Sequence, residues 1–258
     1  FSFETYKQLF DTSQLFAAGL LALGTVSEEK VGLISDNRKE WEQSDMGIMT
    51  IGACDVPRGC DASENDLKYI LSFTEVKTCV VENSTQIKKI MNVKNDIPTL
   101  KQFIIFDQIS DEVQSLCDAS NVKIYTFQQI LDLGKAFTEK NPNRVNEEIE
   151  KGQWDDIAAI IFTSGTTGTP KGVMLSHGNF ITQLDELQER IYLYPGDKAI
   201  CVLPVWHVFQ RLVEYVILSQ AASICYSKPI GSVLLPDMLK LNPTLLPNLM
   251  ITNAGIDR

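Results

Sequence analysis

The stretch Ile157-Ala158-Ala159-Ile160-Ile161-Phe162-Thr163-Ser164-Gly165-Thr166-Thr167-Gly168-Thr169-Pro170-Lys171-Gly172-Val173-Met174-Leu175 decides the fold. Its first six residues form an apolar run that reads as a buried strand, and Val173-Met174-Leu175 reads as a second. Residues 163–172 are then the turn between them. Glycine lets backbone approach a ligand closely, and successive N–H groups can form an anion-binding nest. Thr163, Ser164, Thr166, Thr167 and Thr169 add hydroxyl groups, and Lys171 adds one cation able to neutralise phosphate charge. This is chemistry for holding a triphosphate. The spacing is not that of a Walker A loop, because Pro170 stands five residues after Gly165 and Lys171 is followed by Gly172. Nor does any glycine pair here have dinucleotide-turn spacing. A ligand-free Ser/Thr/Gly linker would seldom sit between two apolar strands and carry both Pro170 and Lys171.

Outward from the loop, strand-like runs alternate with amphipathic stretches. Thr5–Leu23, Lys39–Ile51 and Ser63–Phe73 read as helices, the last opened by a Ser63/Asp66 capping pattern. Residues 31–35, 78–81, 102–106 and 122–126 read as strands, and Gln86–Met91 and Phe127–Leu133 as short helices. The alternation predicts an α/β fold with a largely parallel sheet and flanking helices. Glu139–Gly152 is polar and reads as a surface linker before the loop's first strand. Beyond the loop, Asn179–Arg190 and Trp206–Ser219 read as helices, 198–203 and 223–226 as strands, and Val233–Leu239 as a short helix.

The 258 residues are 44% apolar and 22% charged, which suits a globular protein able to bury a core. A net charge of −10, with no Lys/Arg-rich run, argues against a nucleic-acid surface. The six cysteines are widely spaced and form no Cys-x-x-Cys, so no metal site is expected and a reducing cytosol fits best. No uninterrupted apolar stretch has the length of a membrane span. Ser164 and Ser176 lie in no Gly-x-Ser-x-Gly elbow, which argues against an α/β-hydrolase. His207 is one of two histidines. On the residues alone it reads equally as a functional group and as a capping or core histidine at a helix start. Trp206 and Phe209 read either as acyl-tunnel lining or as packing, and Arg211 and Glu214 share a helix face.

Thr163–Asn179, read TSGTTGTPKGVMLSHGN, resembles the phosphate-loop signature of the adenylate-forming (AMP-binding) family: acyl-CoA synthetases, luciferases and peptide-synthetase adenylation domains. Leu203-Pro204-Val205-Trp206-His207-Val208-Phe209-Gln210-Arg211 follows at that family's spacing and is most similar to its long-chain fatty acid branch. Lys30–Trp41, read KVGLISDNRKEW, is similar to the same branch. The resemblance implies the N-terminal portion of the adenylate-forming fold, with the C-terminal small domain outside these residues. It implies ATP-dependent conversion of a long-chain fatty acid to an acyl-adenylate, then thioesterification to coenzyme A, with Mg²⁺ assisting. By the same resemblance, Ser164, Gly165, Thr166, Thr167, Gly168 and Lys171, with Thr163, would hold the β- and γ-phosphates. His207 would lie beside the acyl carboxylate and α-phosphate, with Trp206 and Phe209 toward the acyl chain.

The family's Tyr-Gly-x-Thr-Glu motif, ribose aspartate, hinge and C-terminal lysine are not among the 258 residues. Residues 1–258 therefore read as one incomplete AMP-binding domain. Missing residues are expected near 247–248, and more beyond Arg258. Two rivals remain at this point: an acyl-AMP ligase that loads a carrier protein, and a non-catalytic truncated nucleotide-binding module. Long-chain acids partition into membranes, which leaves room for peripheral membrane contact by a cytoplasmic protein.

Overall fold

The computed structural model describes residues 2–163 and 170–247. The chain divides into two compact units, one of residues 1–179 and the other from Phe180 onward. The sequence reads as one incomplete domain; its subdivision becomes apparent only in the folded chain.

The first unit strings together α1 (Tyr6–Ala22), β1 (Lys30–Ile34), α2 (Lys39–Thr50), β2 (Cys54–Arg58), α3 (Glu64–Phe73), β3 (Thr78–Val81) and α4 (Ser84–Asn92). It continues with β4 (Gln102–Ile105), α5 (Asp111–Ala119), β5 (Lys123–Thr126), α6 (Phe127–Lys140), α7 (Arg144–Lys151), β6 (Ile157–Thr163) and β7 (Lys171–Ser176). The strands form one sheet in the order β5-β4-β3-β1-β2-β6-β7. All neighbours are parallel except β6 and β7. The expected parallel-dominated α/β sheet is thus present.

Central strands of such a sheet are covered on both faces, so they read as unbroken apolar runs. All four residues of β3 are buried, as are the last four of β1. Leu67, Ile70 and Leu71 of α3 join Ile87 and Ile90 of α4 in packing with Val81, Phe103 and Ile105. The Ser63/Asp66 capping box forms as expected, with Ser63 Oγ accepting from the Asp66 amide. Thr5 and Thr126 cap α1 and α6 in the same way.

α5 forms where no element was read, and two other helices depart from the sequence reading. The stretch read as a linker is helical: α6 continues to Lys140, and α7 follows after a short turn. Six of the eight residues of α7 are polar or charged, which hides its helical character in a hydropathy reading. It packs against α1 and α2, burying Val145 and Glu148. Burial alone would raise the Glu148 pKa, but Lys151 and Arg144 hold it below the usual carboxylate range. The other departure is α2. It shows an apolar stripe in sequence, yet Trp41 through Asp45 are all buried, together with Gly47 and Ile48. This helix is enclosed because it touches β1, β2, α1 and α7.

Close helix crossings depend on glycine. A Cβ on Gly134 of α6 would collide with the Leu15 carbonyl oxygen of α1 and lie 2.9 Å from the Gly19 nitrogen. A Cβ on Gly19 would in turn collide with the Ile130 carbonyl oxygen. On the other side of α1, a Cβ on Gly47 would lie 2.8 Å from the Phe16 ring and 2.9 Å from the Ser13 carbonyl oxygen.

The KVGLISDNRKEW segment forms β1, a short turn and the start of α2. Arg38 donates from Nε to Glu40 at 2.8 Å and from Nη1 to Asp107 at 2.9 Å, and its guanidinium lies 5.2 Å from the Phe106 ring centre. It therefore ties the start of α2 to the end of β4. Partial burial opposes its charge, but the two carboxylates outweigh this and raise its pKa.

Just past the carboxyl ends of β1, β2 and β3, side-chain atoms of Asp36, Cys60 and Glu82 lie within 4.8 Å of one another. Glu82 Oε2 accepts from Ser35 Oγ at 3.0 Å and from the Asp36 amide at 2.9 Å. Asp36 Oδ1 accepts from the Cys60 amide at 3.1 Å. These bonds stitch together loops that would otherwise end in unpaired backbone donors. Burial, then the Glu82 and Asp36 charges, push the Cys60 thiol up to about 12.

The second unit is smaller. The helix α8 (His177–Gln188) spans the boundary between the units. After it come β8 (Lys198–Cys201), α9 (Val208–Ser219), β9 (Ser223–Tyr226) and α10 (Gly231–Leu241). β8 and β9 pair in parallel, and Ala199 also bridges to Leu245. α9 packs its Val213 and Ile217 against Ala199, Cys201 and Ala222. No helix among the described residues is long and apolar enough to cross a membrane.

Two outcomes follow from this packing. Gly134→Ala destabilises the protein by about 1–3 kcal/mol in urea unfolding, because α1 and α6 must separate. Gly231→Ala, where a Cβ meets nothing within 4 Å, changes stability by less than about 0.5 kcal/mol. Cys60 stays a thiol well above neutral pH, so the native protein is alkylated there far more slowly than free cysteine, whose pKa is about 8.5. Glu82→Gln speeds that alkylation, as read by peptide mass spectrometry across a pH series. The sign for stability also follows: the native state retains a proton that the unfolded thiol loses. This contribution is present below the unfolded thiol pKa and is lost as pH rises toward about 12.

Candidate functional site

Four expected groups can be placed by element: the loop's two ends, its glycine-flanked exit strand, and the start of α9. β6, next to the edge strand β7, enters the loop with Ala158 to Phe162 all buried. β7 leaves it in antiparallel register, Thr163 facing Lys171 and Phe162 facing Gly172. The two predicted strands are therefore present and paired. Ser164, Gly165, Thr166, Thr167 and Gly168 lie outside the described residues.

Direct cross-strand partners project from the same face of a hairpin, with Cβ atoms about 5 Å apart. Thr163 and Lys171 consequently present a hydroxyl and a cation side by side at the mouth of the loop. Both residues are exposed. Behind them the hairpin is tight: a Cβ on Gly172 would lie 2.9 Å from Ile160 Cγ2 and 3.2 Å from the Phe162 ring. Gly172 therefore reflects packing as well as motif. Gly178 has a similar explanation. The Trp154 indole occupies the place a Cβ would take, and the Gly178 amide donates to the Trp154 carbonyl at 2.8 Å. The His177 amide donates to the Asp156 carbonyl at 3.0 Å, a structural role for the backbone at that position.

In the second unit the other candidates stand at one helix start. His207 is the N-cap of α9, with extended backbone at φ −95° and ψ 134°. Its Nδ1 accepts from the Phe209 amide at 3.3 Å. The residue is exposed, and its own amide donates to the Pro204 carbonyl at 3.0 Å. The capping alternative from sequence is thus realised. Phe209 packs against the Ala199/Cys201/Val213 cluster, which favours packing among its two readings. Trp206 is half-buried beside it in sequence.

Behind His207, α9 carries a polar core that sequence reasoning caught only in part. Gln210, Arg211 and Glu214 are all buried. Gln210 Nε2 donates to Glu214 Oε1 at 2.7 Å, and the Tyr226 hydroxyl donates to Glu214 Oε2 at 3.1 Å. Arg211 donates from Nε to the Tyr215 hydroxyl at 2.6 Å and lies 5.0 Å from the Phe180 ring centre. Buried charges demand such partners. The available signal was three polar residues interrupting an otherwise apolar helix, but Tyr226 on β9 could not be linked to them by spacing.

Among the described residues, the single gathering of three metal-ligand atoms is Asp36, Cys60 and Glu82. One of its members is a thiol, whereas Mg²⁺ takes an all-oxygen shell, so these residues do not fit that ion. None of the six cysteines is in a disulfide, and five of them are buried.

Comparison with known proteins bears on the family and the fold. Residues 2–249 match the AMP-binding enzyme family. The chain is 33% identical over 226 residues to the Arabidopsis thaliana chloroplastic long-chain-fatty-acid–[acyl-carrier-protein] ligase AEE15, covering 86% of this chain and 31% of that protein. It is 28% identical over 251 residues to the human long-chain-fatty-acid–CoA ligase 1, covering 94% and 35%. The chain thus spans about a third of the length of these relatives. In fold it is similar to the anthranilate CoA ligase AuaEII, with a TM-score of 0.77 at 20% identity over 95% of this chain and 44% of the other. The adenylation domain of a Mycobacterium chelonae carboxylate reductase gives a TM-score of 0.78 at 18% identity, covering 94% and 38%. A match that runs over nearly the whole chain leads to one conclusion: the chain belongs to the AMP-binding enzyme family, and its relatives there include long-chain-fatty-acid ligases.

Proposed function

We propose that the protein activates a long-chain fatty acid with ATP, forming an acyl-adenylate and pyrophosphate, and then transfers the acyl group to the thiol of coenzyme A. The observation that carries this reading is the similarity to ligases named for long-chain fatty acids, combined with an unbroken phosphate-loop signature ending in Lys171.

Adenylation needs no protein nucleophile. The acid's carboxylate oxygen attacks the α-phosphorus, the bond to the β-phosphate oxygen breaks, and pyrophosphate leaves carrying the negative charge. Protein groups contribute by positioning and by stabilising that charge. Thr163, Ser164, Gly165, Thr166, Thr167 and Gly168 are assigned to grip the β- and γ-phosphates through hydroxyl and amide donors. Lys171 is assigned to neutralise the departing pyrophosphate. His207 is assigned to hold an oxygen of the acid or the α-phosphate. Trp206 lies toward the acyl chain in this reading, and Phe209 shapes that wall from within the packed cluster. Mg²⁺, when bound to the phosphates, supplies further charge neutralisation. No described residue of this chain is assigned to it.

A second reading differs only in the thiol: the acyl group passes to an acyl carrier protein. The Arabidopsis thaliana relative named for that acceptor supports it. The two readings share the adenylation half-reaction.

The full-length protein is expected to catalyse ATP–pyrophosphate exchange that depends on fatty acid and peaks with long acids. Lys171→Ala lowers that exchange by about 10²–10³-fold, the usual effect of removing one transition-state donor. Absence of exchange with every acid tested, from folded protein, would reject the ligase reading in favour of a non-catalytic nucleotide-binding module. Supplying labelled acid with either coenzyme A or acyl carrier protein then separates the acceptors by which thioester accumulates.

A further inference from the structure

Successive residues of a strand point to opposite faces of a sheet, and the second unit sorts its covering helices accordingly. Ala199 and Cys201 of β8 pack with Val213 and Ile217 of α9. Ile200 packs with Cys225 of β9 and with Leu234, Met238 and Leu241 of α10. α10 is therefore the cover on the face away from α9, and its opposite side meets solvent. That side is apolar. Leu235 and Leu239, one helical turn apart, are 63% and 86% exposed. Ile230, Val233 and Pro236 of the same segment are exposed too. Single exposed leucines need no explanation, but an apolar group gathered on one helix does. Charge is sorted as well. Residues 227–242 carry three charged side chains: Lys228 and Lys240 are exposed, while Asp237 is half-buried and accepts from Ser227 Oγ at 2.7 Å. In a chain of net charge −10, this segment shows solvent two cations and ties its acid to a neighbour.

We propose that the outer side of α10 docks on the surface of a bilayer containing anionic lipid, with Leu235 and Leu239 among the acyl chains and Lys228 and Lys240 among the headgroup phosphates. An eleven-residue helix is about 16 Å long, too short to cross a bilayer, so it lies along the surface. Apolar side chains on one side of such a helix and lysines beside them are what an interfacial helix needs. A second copy of the chain fits the surface less well. Symmetric pairing would set the same side against itself and bring its cations together. Docking on lipid goes beyond the ligase reading and does not require it. Under that reading it places the enzyme where long-chain acids partition.

The test is sedimentation of the full-length protein with phosphatidylcholine vesicles, with and without phosphatidylserine, across a salt series and without ATP or fatty acid. Two double variants accompany it: Leu235→Glu with Leu239→Glu, and Lys228→Ser with Lys240→Ser. Thermal midpoint and solution mass are read without vesicles. Wild type is expected to bind the phosphatidylserine vesicles more tightly than the neutral ones, and to release them as salt rises. The leucine pair variant binds at least about tenfold more weakly. The lysine pair variant loses about fivefold per lysine on phosphatidylserine vesicles and nothing on neutral ones. Both variants keep the wild-type midpoint and mass. No binding by wild type, equal binding to both vesicle types, or undiminished binding by the leucine variant overturns the proposal. A lowered midpoint in the leucine variant would show this side covered by the protein's own chain, and a lowered mass would show it covered by a second copy. Either result overturns docking on lipid.

Discussion

Parallel pairing of β6 against β2, through Asp55 and Ala159, sets where the segment between β6 and β7 begins. A parallel neighbour must run in the same direction as the central strands, so β6 delivers Thr163 to the carboxyl edge of the sheet. The antiparallel register of β7 sets Lys171 opposite Thr163. A one-residue slip would move every side chain of β7 to the other face and carry Lys171 away from Thr163. Burial of Ala158 through Phe162 opposes such a slip in β6.

The remaining layers protect that arrangement. On one side of the molecule, α1 is held between α2 and α6 by backbone-to-backbone approaches that only glycine permits. Backbones this close leave no room for a Cβ, so the stack tolerates very little relaxation. Past the strand ends, Glu82 and Asp36 satisfy amides of neighbouring loops instead of facing a ligand. Proximity of ligand-type atoms is therefore weak grounds for a metal centre when their lone pairs already serve the backbone. In the second unit the polar interior of α9 has a related logic. Glu214 receives donors from its own helix and from β9, so a buried charge links two elements.

His207 illustrates how one residue joins a structural role to a chemical one. The sequence left capping and function as alternatives, but an imidazole has two nitrogens and need not choose. Its Nδ1 completes the helix start, while the residue as a whole stays exposed. Phe209 has less freedom, because its amide serves the cap while its ring is packed into the cluster beneath α9.

Local chemistry determined much of this protein from sequence alone. The strands at 78–81 and 223–226, the Ser63 capping box and the two strands that flank residues 164–169 follow from short-range patterns of hydropathy and capping. β2, α5 and α7 escaped that reading. β2 contains Asp55 and Pro57, polar or strand-breaking residues that tolerate their place only in the assembled sheet, and α7 is too charged to show an apolar run. Tertiary structure alone decided that α2 is enclosed on all sides, that Gly19 and Gly134 mark a helix crossing, and that Tyr226 reaches Glu214. The reason is physical: periodicity and capping act over a few residues, whereas enclosure, close approach and buried hydrogen bonds depend on neighbours far away in the chain.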